Sequence, residues 1–254
     1  MPIADPTQRF SSRVDNYVRY RPGYPEAVLE SLRQECGLTK SETIADIGSG
    51  TGLLSKIFLD NGNPVIGVEP NAEMRRAGEQ FLRNYANFTS VAGTAEATTL
   101  PDHSVDFVSA GQAAHWFNLE KARREFLRIL RPGGWTALIW NERKTDSTPF
   151  LAAYENLLLT YGTDYQEIRH ERTSAEIDNF FAPAAFQSST FPYQQLFDYE
   201  ALEGRLLSSS YTPQAGDPKH APMLQELRRI FDQHQSAGRV AFEYDTRSFY
   251  GRLT

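Results

Sequence analysis

The stretch that decides the fold is Asp46-Ile47-Gly48-Ser49-Gly50-Thr51-Gly52, which ends the short apolar run at residues 43–47. Apolar residues then recur at helical spacing, at Leu53, Leu54, Ile57 and Phe58. Glycines between a strand and a helix allow a sharp turn and a close approach of the backbone to a ligand. The free N–H groups at the start of the helix add a partial positive charge. The sequence therefore predicts a cofactor site at the carboxyl end of a first strand.

The spacing of the glycines separates several kinds of cofactor site. A dinucleotide fingerprint reads G-x-G-x-x-G, whereas this chain has G-x-G-x-G with Leu53 in the place of the third glycine. The G-x-x-x-x-G-K-[ST] pattern of a phosphate loop is not present either. Asp46 would repel a pyrophosphate and attract an amine. A nicotinamide-dependent oxidoreductase is therefore the less favoured enzyme class, and a tight turn without a ligand is the plainest alternative.

A second apolar run, at residues 64–69, ends in the carboxylate of Glu69. A carboxylate at the end of a second strand can accept hydrogen bonds from both hydroxyl groups of a ribose, so Glu69 is the ribose candidate. We expect its removal to change the stability of the ligand-free protein little, because a carboxylate at a strand end has few folding partners. Asn71 is suited to cap the helix that follows.

Three further segments follow in the order that an αβ alternation requires. A third strand is predicted at residues 88–92, before the turn at Gly93-Thr94-Ala95-Glu96. A fourth strand at residues 104–110 ends at Gly111-Gln112-Ala113-Ala114-His115-Trp116-Phe117, where cofactor and substrate would meet. A helix at residues 119–130, a turn at residues 131–134 and a fifth strand at residues 135–140 complete the pattern.

In order and spacing these segments resemble the class I S-adenosylmethionine-dependent methyltransferases, over roughly residues 10–141. The segment Gln112 to Phe117 is similar to the Q-A-x-H-W-F segment of the methyltransferase-11 type, the group that contains trans-aconitate methyltransferase-like proteins. The resemblance implies S-adenosylmethionine as the cofactor, with the acid and the glycine loop around its amino acid part. The family's adenine-binding turn is similar to residues 93–101, but Thr94 stands where an acidic residue is common.

The resemblance also implies which residues bind the cofactor. The Ala95 N–H would donate to an adenine nitrogen, while Glu96 either replaces the missing acid or is a solvated turn residue. Residues 17–22 resemble the Y-x-x-Y-R-P start of the same subgroup, in which the first helix covers the cofactor, and Arg21 could pair with a carboxylate. The whole predicted set is Tyr17, Arg21, Asp46, Gly48, Ser49, Gly50, Gly52, Glu69, Pro70, Met74, Ala95, Glu96, Gln112 and Trp116.

The predicted reaction is methyl transfer to a small molecule, at a carboxylate or hydroxyl oxygen. Transfer from a sulfonium is an in-line displacement, so the protein mainly has to align the acceptor and exclude water. His115 is the candidate for a catalytic base, which a hydroxyl acceptor would use and a carboxylate would not need. A packed, hydrogen-bonded histidine beside Trp116 is the plainer interpretation. A non-catalytic protein that only binds the cofactor is a third alternative, supported by Thr94 alone.

The composition narrows the range of partners. The chain has 254 residues and a net charge of −6, which argues against a nucleic-acid or anionic membrane surface. Its one cysteine, Cys36, cannot form an intrachain disulfide. The histidines and the cysteine lack the spacing of metal ligands, so we predict no metal site. The first residues lack an apolar signal core, and we expect a cytoplasmic protein whose oligomeric state the sequence leaves open.

The expected fold class is α/β. We predict a Rossmann-like, doubly wound, seven-stranded and mostly parallel sheet with an antiparallel C-terminal hairpin and a helical cap. Residues 1–254 would form a single methyltransferase domain, with an N-terminal helical lid at 1–40, a cofactor-binding core at 41–141, and cap helices and closing strands at 142–254. Late strands are expected at residues 186–196 and 240–244, with an extension at 248–253. The other late segments, predicted helical, are residues 149–161, 175–181, 199–210 and 221–234.

Overall fold

A computed structural model of the chain describes residues 14–168 and 174–254. The strands are β1 (Ile44–Ile47), β2 (Val65–Val68), β3 (Phe88–Val91), β4 (Val105–Gly111), β5 (Leu130–Arg143), β6 (Phe186–Phe197) and β7 (Val240–Gly251). The helices are α1 (Val14–Tyr20), α2 (Glu26–Cys36), α3 (Leu53–Asn61), α4 (Ala72–Phe81), α5 (Leu119–Ile129), α6 (Pro149–Tyr161), α7 (Tyr165–Ile168), α8 (Ser174–Phe181), α9 (Tyr199–Leu207) and α10 (His220–His234). A 3-10 turn at Ala114–Trp116 follows β4.

The seven strands form one sheet in the order β3-β2-β1-β4-β5-β7-β6. β1 to β5 pair in parallel, whereas β7 pairs antiparallel with both β5 and β6. All four residues of β1 are buried, as expected for a strand covered by helices on both faces. The predicted fold class, an α/β sheet that is mostly parallel and ends in antiparallel strands, is confirmed. The strand order reverses between β1 and β4, and ligands of such sheets bind at that point.

The predicted turn at residues 131–134 is wrong, because β5 already begins at Leu130. Val105 pairs with Leu130 and Phe107 pairs with Trp135, so the extra residues of β5 form a bulge against β4. Gly133 has a positive φ of 81°, and a Cβ on Gly134 would lie 2.8 Å from a backbone oxygen. The same glycines that favour a turn therefore serve a bulge within a strand.

The later part of the chain forms a second layer of helices over β6 and β7. α10 packs on both α6 and α9 around an apolar cluster that includes Leu151, Leu202, Leu227 and Phe242. α6 has the predicted bounds, α9 ends at Leu207 rather than at residue 210, and the short helix α7 is not predicted by the sequence pattern. β7 is one continuous strand where the sequence indicated a strand and a separate extension. We call α6, α9 and α10 the cap helices.

The N-terminal helix is held against this second layer. α1 packs on α9, and a Cβ on Gly204 of α9 would lie 2.1 Å from the ring of Tyr20. Gly204 therefore allows the two helices to approach closely. The Nδ2 of Asn141 donates to the backbone oxygen of Gly23 at 2.9 Å, which ties the chain after α1 to β5. As a result, the segment at residues 20–24 lies over the carboxyl ends of the central strands.

Candidate functional site

A cavity of about 800 Å³ opens at the carboxyl ends of the central strands. One end is bounded by the loop after β1 and by residues that follow β2 and β4. The other end is bounded by residues 21–24, by the end of β5 and by side chains of α9 and β7. Such a volume is typical of a site for a cofactor together with a small substrate. The cavity lies where the order of the parallel strands reverses, as expected for this class of sheet.

The loop after β1 has the backbone conformation that its glycines predict. Gly48 and Gly50 have φ values of 68° and 55°, in the left-handed region where a side chain is strained. A Cβ on Gly48 would lie 2.6 Å from the Cβ of Ala113, and one on Gly50 would lie 3.3 Å from the Met74 Cε. The loop therefore packs tightly on its neighbours, and its other side faces the cavity.

Gly52, in contrast, does not line the cavity. It has a φ of 84° and stands at the N-terminus of α3, where a Cβ would lie 2.5 Å from the Leu82 Cδ1. Its role in the structure is to let α3 begin close to the residue that follows α4. This position does not support the prediction that Gly52 contacts a cofactor. A glycine is required here because α3 begins so close to Leu82.

Asp46, at the end of β1, is wholly buried and lines the cavity. Its Oδ2 accepts a hydrogen bond of 2.6 Å from Ser55 Oγ, in the first turn of α3. Burial raises the pKa of Asp46 to about 7, with a further rise from the Glu69 charge, although the Ser55 and Ser109 hydrogen bonds oppose the rise. Gly52 offers no side chain to cap α3, and Asp46 supplies a carboxylate near that helix end instead.

Glu69, directly after β2, is fixed by two backbone groups. Its Oε2 accepts from Gly50 N at 2.9 Å and its Oε1 accepts from Asn71 N at 2.8 Å. Burial raises its pKa, while these two hydrogen bonds and the charge of Arg75 act in the opposite direction. The expectation that Glu69 has few folding partners is therefore wrong, because one carboxylate joins the glycine loop to the start of α4. The sequence does not indicate that Gly50 N is a partner of Glu69, because the two residues are nineteen positions apart.

The turn after β3 is closed by two hydrogen bonds between Thr94 and Ala97, of 3.1 and 3.2 Å. Ala95 and Glu96 stand at its tip, and both line the cavity. Glu96 is half-buried, and its Oε1 accepts from Asn118 N at 2.8 Å at the start of α5. One oxygen of Glu96 therefore holds the start of α5, and its carboxylate lies at the edge of the cavity.

Gln112 has a positive φ of 54°, which is strained for a residue with a side chain. Its backbone N donates to Ile139 O at 2.9 Å, and its Nε2 donates to Asn141 O at 2.8 Å. These hydrogen bonds fix the strained backbone at the end of β4 against β5. Strain held by such bonds is common at binding sites, and it turns the chain across the cavity here.

His115 and Trp116 lie on the 3-10 turn after β4 and line the cavity, and both are half-buried. Their ring centroids are 4.7 Å apart and the rings are tilted by 49°. The packed histidine beside Trp116 predicted from the sequence agrees with this geometry. Pro70, Met74 and Ser49 line the same end of the cavity. The side chain of Tyr17 lies outside the described part of the chain.

The cap end of the cavity holds residues that the sequence analysis did not identify. Arg143 donates to Glu155 Oε2 and, at 3.1 Å, to the hydroxyl of Tyr165. Arg205 of α9 and Tyr244 of β7 lie beside them, and both are buried. A signal was present for Arg205, because it lies between Leu202 and Leu206 on the apolar face of a predicted helix.

Arg21, the one cap-end residue that the sequence did indicate, reaches across to the residues after α9. Its Nη2 donates to Ser208 O at 3.1 Å and to Ser209 Oγ at 3.4 Å. Arg21 thus joins the N-terminal segment to the cap and contributes a positive charge to the cavity wall.

In the described residues, no helix is both long and apolar enough to cross a membrane.

Comparison with known proteins agrees with this arrangement. Residues 45–138 match a family described as "methyltransferase domain", of type 11. An uncharacterized methyltransferase of Schizosaccharomyces pombe is 35% identical over 150 residues, 59% of this chain and 58% of that protein. A second, methyltransferase-like protein of the same yeast is 27% identical over 244 residues, 94% of this chain and 93% of that protein.

A solved structure gives the same result for the fold. A candidate type II methyltransferase from Anaeromyxobacter dehalogenans superimposes with a TM-score of 0.65 at 22% identity, covering 92% of this chain and 98% of that one. The matched family region runs from β1 into β5 and so contains the glycine loop, Glu69 and the turn at Ala95. The sequence match, these relatives and the sheet order all indicate a methyltransferase domain around the cavity.

Proposed function

We propose that the protein transfers the methyl group of S-adenosylmethionine to an oxygen of a small-molecule acceptor. The observation that carries this proposal is the hydrogen bond from Gly50 N to Glu69 Oε2. It holds the glycine loop, whose glycines have left-handed backbone conformations, and a carboxylate together on one wall of the cavity. We also propose that the protein belongs to the trans-aconitate methyltransferase-like subgroup and is cytoplasmic. In the same proposal, the chain is divided into an N-terminal lid, a cofactor-binding core and a C-terminal cap.

The residues on this wall fit the proposed cofactor. Each oxygen of Glu69 accepts one backbone N–H, and a carboxylate oxygen can accept a second donor, so both remain able to bind ribose hydroxyls. Asp46 is a buried carboxylate that a cationic amino group would stabilise in its charged form. Ala95 and Trp116 both line the cavity and would enclose the adenine. When bound, the cofactor would supply a methyl group that is already activated.

The chain's own residues would position the acceptor and exclude water. The segment at residues 20–24, α9 and β7 enclose the far end of the cavity, which favours a displacement that needs alignment more than acid–base help. His115 is close enough to the cavity to serve a hydroxyl acceptor as a base. Its packing on Trp116 supports a structural role, and a carboxylate acceptor would need no base.

Titration calorimetry with S-adenosylmethionine and S-adenosylhomocysteine tests the cofactor assignment. We expect both to bind, followed by methyl transfer to members of a panel of acids, phenols and alcohols, detected by mass spectrometry. Binding of neither compound to folded protein at millimolar concentration would refute the proposal. Tight binding of NADH instead would favour the oxidoreductase alternative, which Leu53 in the third glycine position argues against.

A further inference from the structure

Arg205 is a buried cation with little to balance its charge. Its side chain lines the cavity and only 5% of the residue is exposed. Among the residues that the structure describes, its guanidinium donates from Nη1 to Ser209 Oγ at 3.1 Å and lies against the Tyr244 hydroxyl, and it forms no salt bridge. Its Nε is buried without an acceptor in that same part of the chain. A buried charge in this state is costly, so it needs a compensating group.

A second guanidinium converges on the same hydroxyl. Ser209 Oγ accepts from Arg21 Nη2 at 3.4 Å as well as from Arg205. Two cations thus share one neutral acceptor at the wall of the cavity. Because Arg205 has no carboxylate partner in the described part of the chain, an anion at this point would balance its buried charge. The two arginines come from α9 and from the segment after α1, so the site exists only in the folded chain.

Three nearby acids, on β5, β7 and α6, are engaged elsewhere. Glu142 pairs with Arg247 at 3.1 Å and Asp245 pairs with Lys144 at 3.2 Å, while Glu155 pairs with Arg143. The neighbours of Arg205 are instead aromatic, with the Phe242 ring centroid 5.9 Å from its guanidinium carbon. Tyr165, Tyr211 and Tyr244 line the same end of the cavity, which therefore offers positive charge and aromatic walls together.

Tyr211, which lines the cavity after α9, shows the effect of this charge. Burial would raise its pKa, but the charges of Arg205, Arg21 and Arg143 and a hydrogen bond with Ser209 lower it below the ordinary value. Its hydroxyl is consequently a good hydrogen-bond donor to an oxyanion. Tyr244, on the other side of Arg205, has a buried hydroxyl without a hydrogen-bond partner in the described residues.

From this geometry we infer an anion subsite, formed by Arg205, Arg21 and Tyr211, that binds a carboxylate of the acceptor. The planar fork of a guanidinium matches a carboxylate, and the surrounding rings suit a flat, partly apolar acid. The inference deepens the proposed function by naming the acceptor class as small carboxylic acids. It requires only that the acceptor occupies this end of the cavity, so acid binding can be measured without cofactor or turnover.

Thermal unfolding without cofactor tests the subsite, with 3-hydroxybenzoate and glutarate as probes. We expect each acid at millimolar concentration to raise the melting temperature of the wild type, relative to sodium chloride at matched ionic strength. The neutral 3-hydroxybenzamide should have no such effect. The absence of any shift with both acids, or an equal shift with the amide, would overturn the inference. A larger, Arg205-dependent shift with inorganic phosphate would overturn the carboxylate assignment.

Substitution of Arg205 separates the subsite from a purely structural role. Arg205→Met should leave the melting temperature of the ligand-free protein unchanged or higher, because an uncompensated buried cation is removed, and it should abolish the acid-induced shift. Arg205→Lys keeps the charge without the fork and should weaken acid binding by roughly tenfold. Arg128→Met, which removes an arginine outside the cavity, should keep the acid-induced shift.

The opposite pattern would identify Arg205 as a structural cation. In that case Arg205→Met would unfold at a lower temperature without any ligand, and the wild type and Arg205→Lys would respond to acids alike. Calorimetry with S-adenosylhomocysteine on the same preparations keeps this result distinct from a failure of the proposed function. A wild type that binds the cofactor but neither acid refutes the subsite alone, whereas a wild type that binds the acids but not the cofactor refutes the methyltransferase assignment alone.

Discussion

Gly50 N donates a hydrogen bond of 2.9 Å to Glu69 Oε2, so the glycine loop after β1 is tied to the end of β2. The same carboxylate holds Asn71 N with its other oxygen. Glu69 therefore stands at the centre of a backbone arrangement that exists before any ligand binds. A residue of this kind contributes to folding as well as to binding, and variants must be read in both respects.

Glu69→Ala should lose cofactor affinity and stability together. Two ribose hydroxyls without acceptors should cost roughly 1.5–3 kcal/mol of binding free energy, which is about a ten- to hundredfold loss of affinity. The two freed backbone N–H groups should lower the free energy of unfolding by about 1–3 kcal/mol. Calorimetry and denaturant unfolding measure the two effects. Glu79→Ala, an exposed carboxylate on α4, is the control, and unchanged cofactor binding in Glu69→Ala would refute the ribose assignment.

Cofactor affinity should rise as the pH rises toward neutrality. The pKa of Asp46 is raised to about 7 in the ligand-free protein, so the carboxylate is protonated at acid pH and cannot pair with an amino group. Because the folded pKa is above the ordinary value of 3.8, the folded protein binds the proton more tightly, and Asp46 makes stability fall as pH rises between about 4 and 7.

Calorimetry from pH 5 to pH 7.5 checks this dependence. Asp46→Asn should bind the cofactor weakly at every pH, and its unfolding free energy should no longer show the decrease assigned to Asp46. An Asp46→Asn protein with the affinity of the wild type at pH 7.5 would show that Asp46 serves only the end of α3.

Gly48→Ala should destabilise the protein for two separable reasons. The φ of 68° is strained for alanine, and the new Cβ would lie 2.6 Å from the Ala113 Cβ. Gly216→Ala, with a φ of 97° and no atom within 4 Å of the Cβ, measures the backbone strain alone. We expect Gly48→Ala to lose clearly more stability than Gly216→Ala, and Ala113→Gly to restore part of the difference in the double variant. Purely additive effects would refute the steric explanation.

His115→Ala should affect folding more than catalysis. Its ring packs on Trp116, and losing a half-buried aromatic contact should cost about 1 kcal/mol of stability. If the packed histidine has no role as a base, kcat should fall by less than tenfold and keep its pH profile. A fall of about a hundredfold or more, together with loss of a titration near the ordinary pKa of histidine, would identify His115 as the base.

The sequence predicts the parts of this protein that depend on local pattern. Glycines at the end of a buried run, and a carboxylate at the end of the next one, identify one wall of the cavity because strand ends in a parallel sheet meet at one edge. The bulge at the start of β5 could not be told from a turn, since both use Gly133 in the same conformation. Helix ends depend on tertiary contacts, so α9 ends at Leu207, three residues before the predicted end.

The cap end of the cavity depends on residues that are distant in the sequence and carry no motif. Arg205, Tyr211 and Tyr244 meet Arg21 only because α9 and β7 fold back over the strand ends. The sequence indicates Arg21 through its segment, and Arg205 only as a charge on an apolar helix face. The tertiary fold brings these residues together at the cavity wall, and a local sequence pattern does not predict that.

The place of β7 between β5 and β6 has a consequence for synthesis on the ribosome. β6 pairs with β7 alone among the described strands, yet β7 comes later in the sequence. A nascent chain therefore exposes the unpaired edge of β6 while more than fifty further residues are made, on the order of several seconds at about 5–20 residues per second. Pro192, which lacks a backbone donor, stands in the middle of that edge. A residue such as Pro192, which hinders pairing of β6 with other chains, would thus protect the protein most during this interval, before β7 has been synthesised.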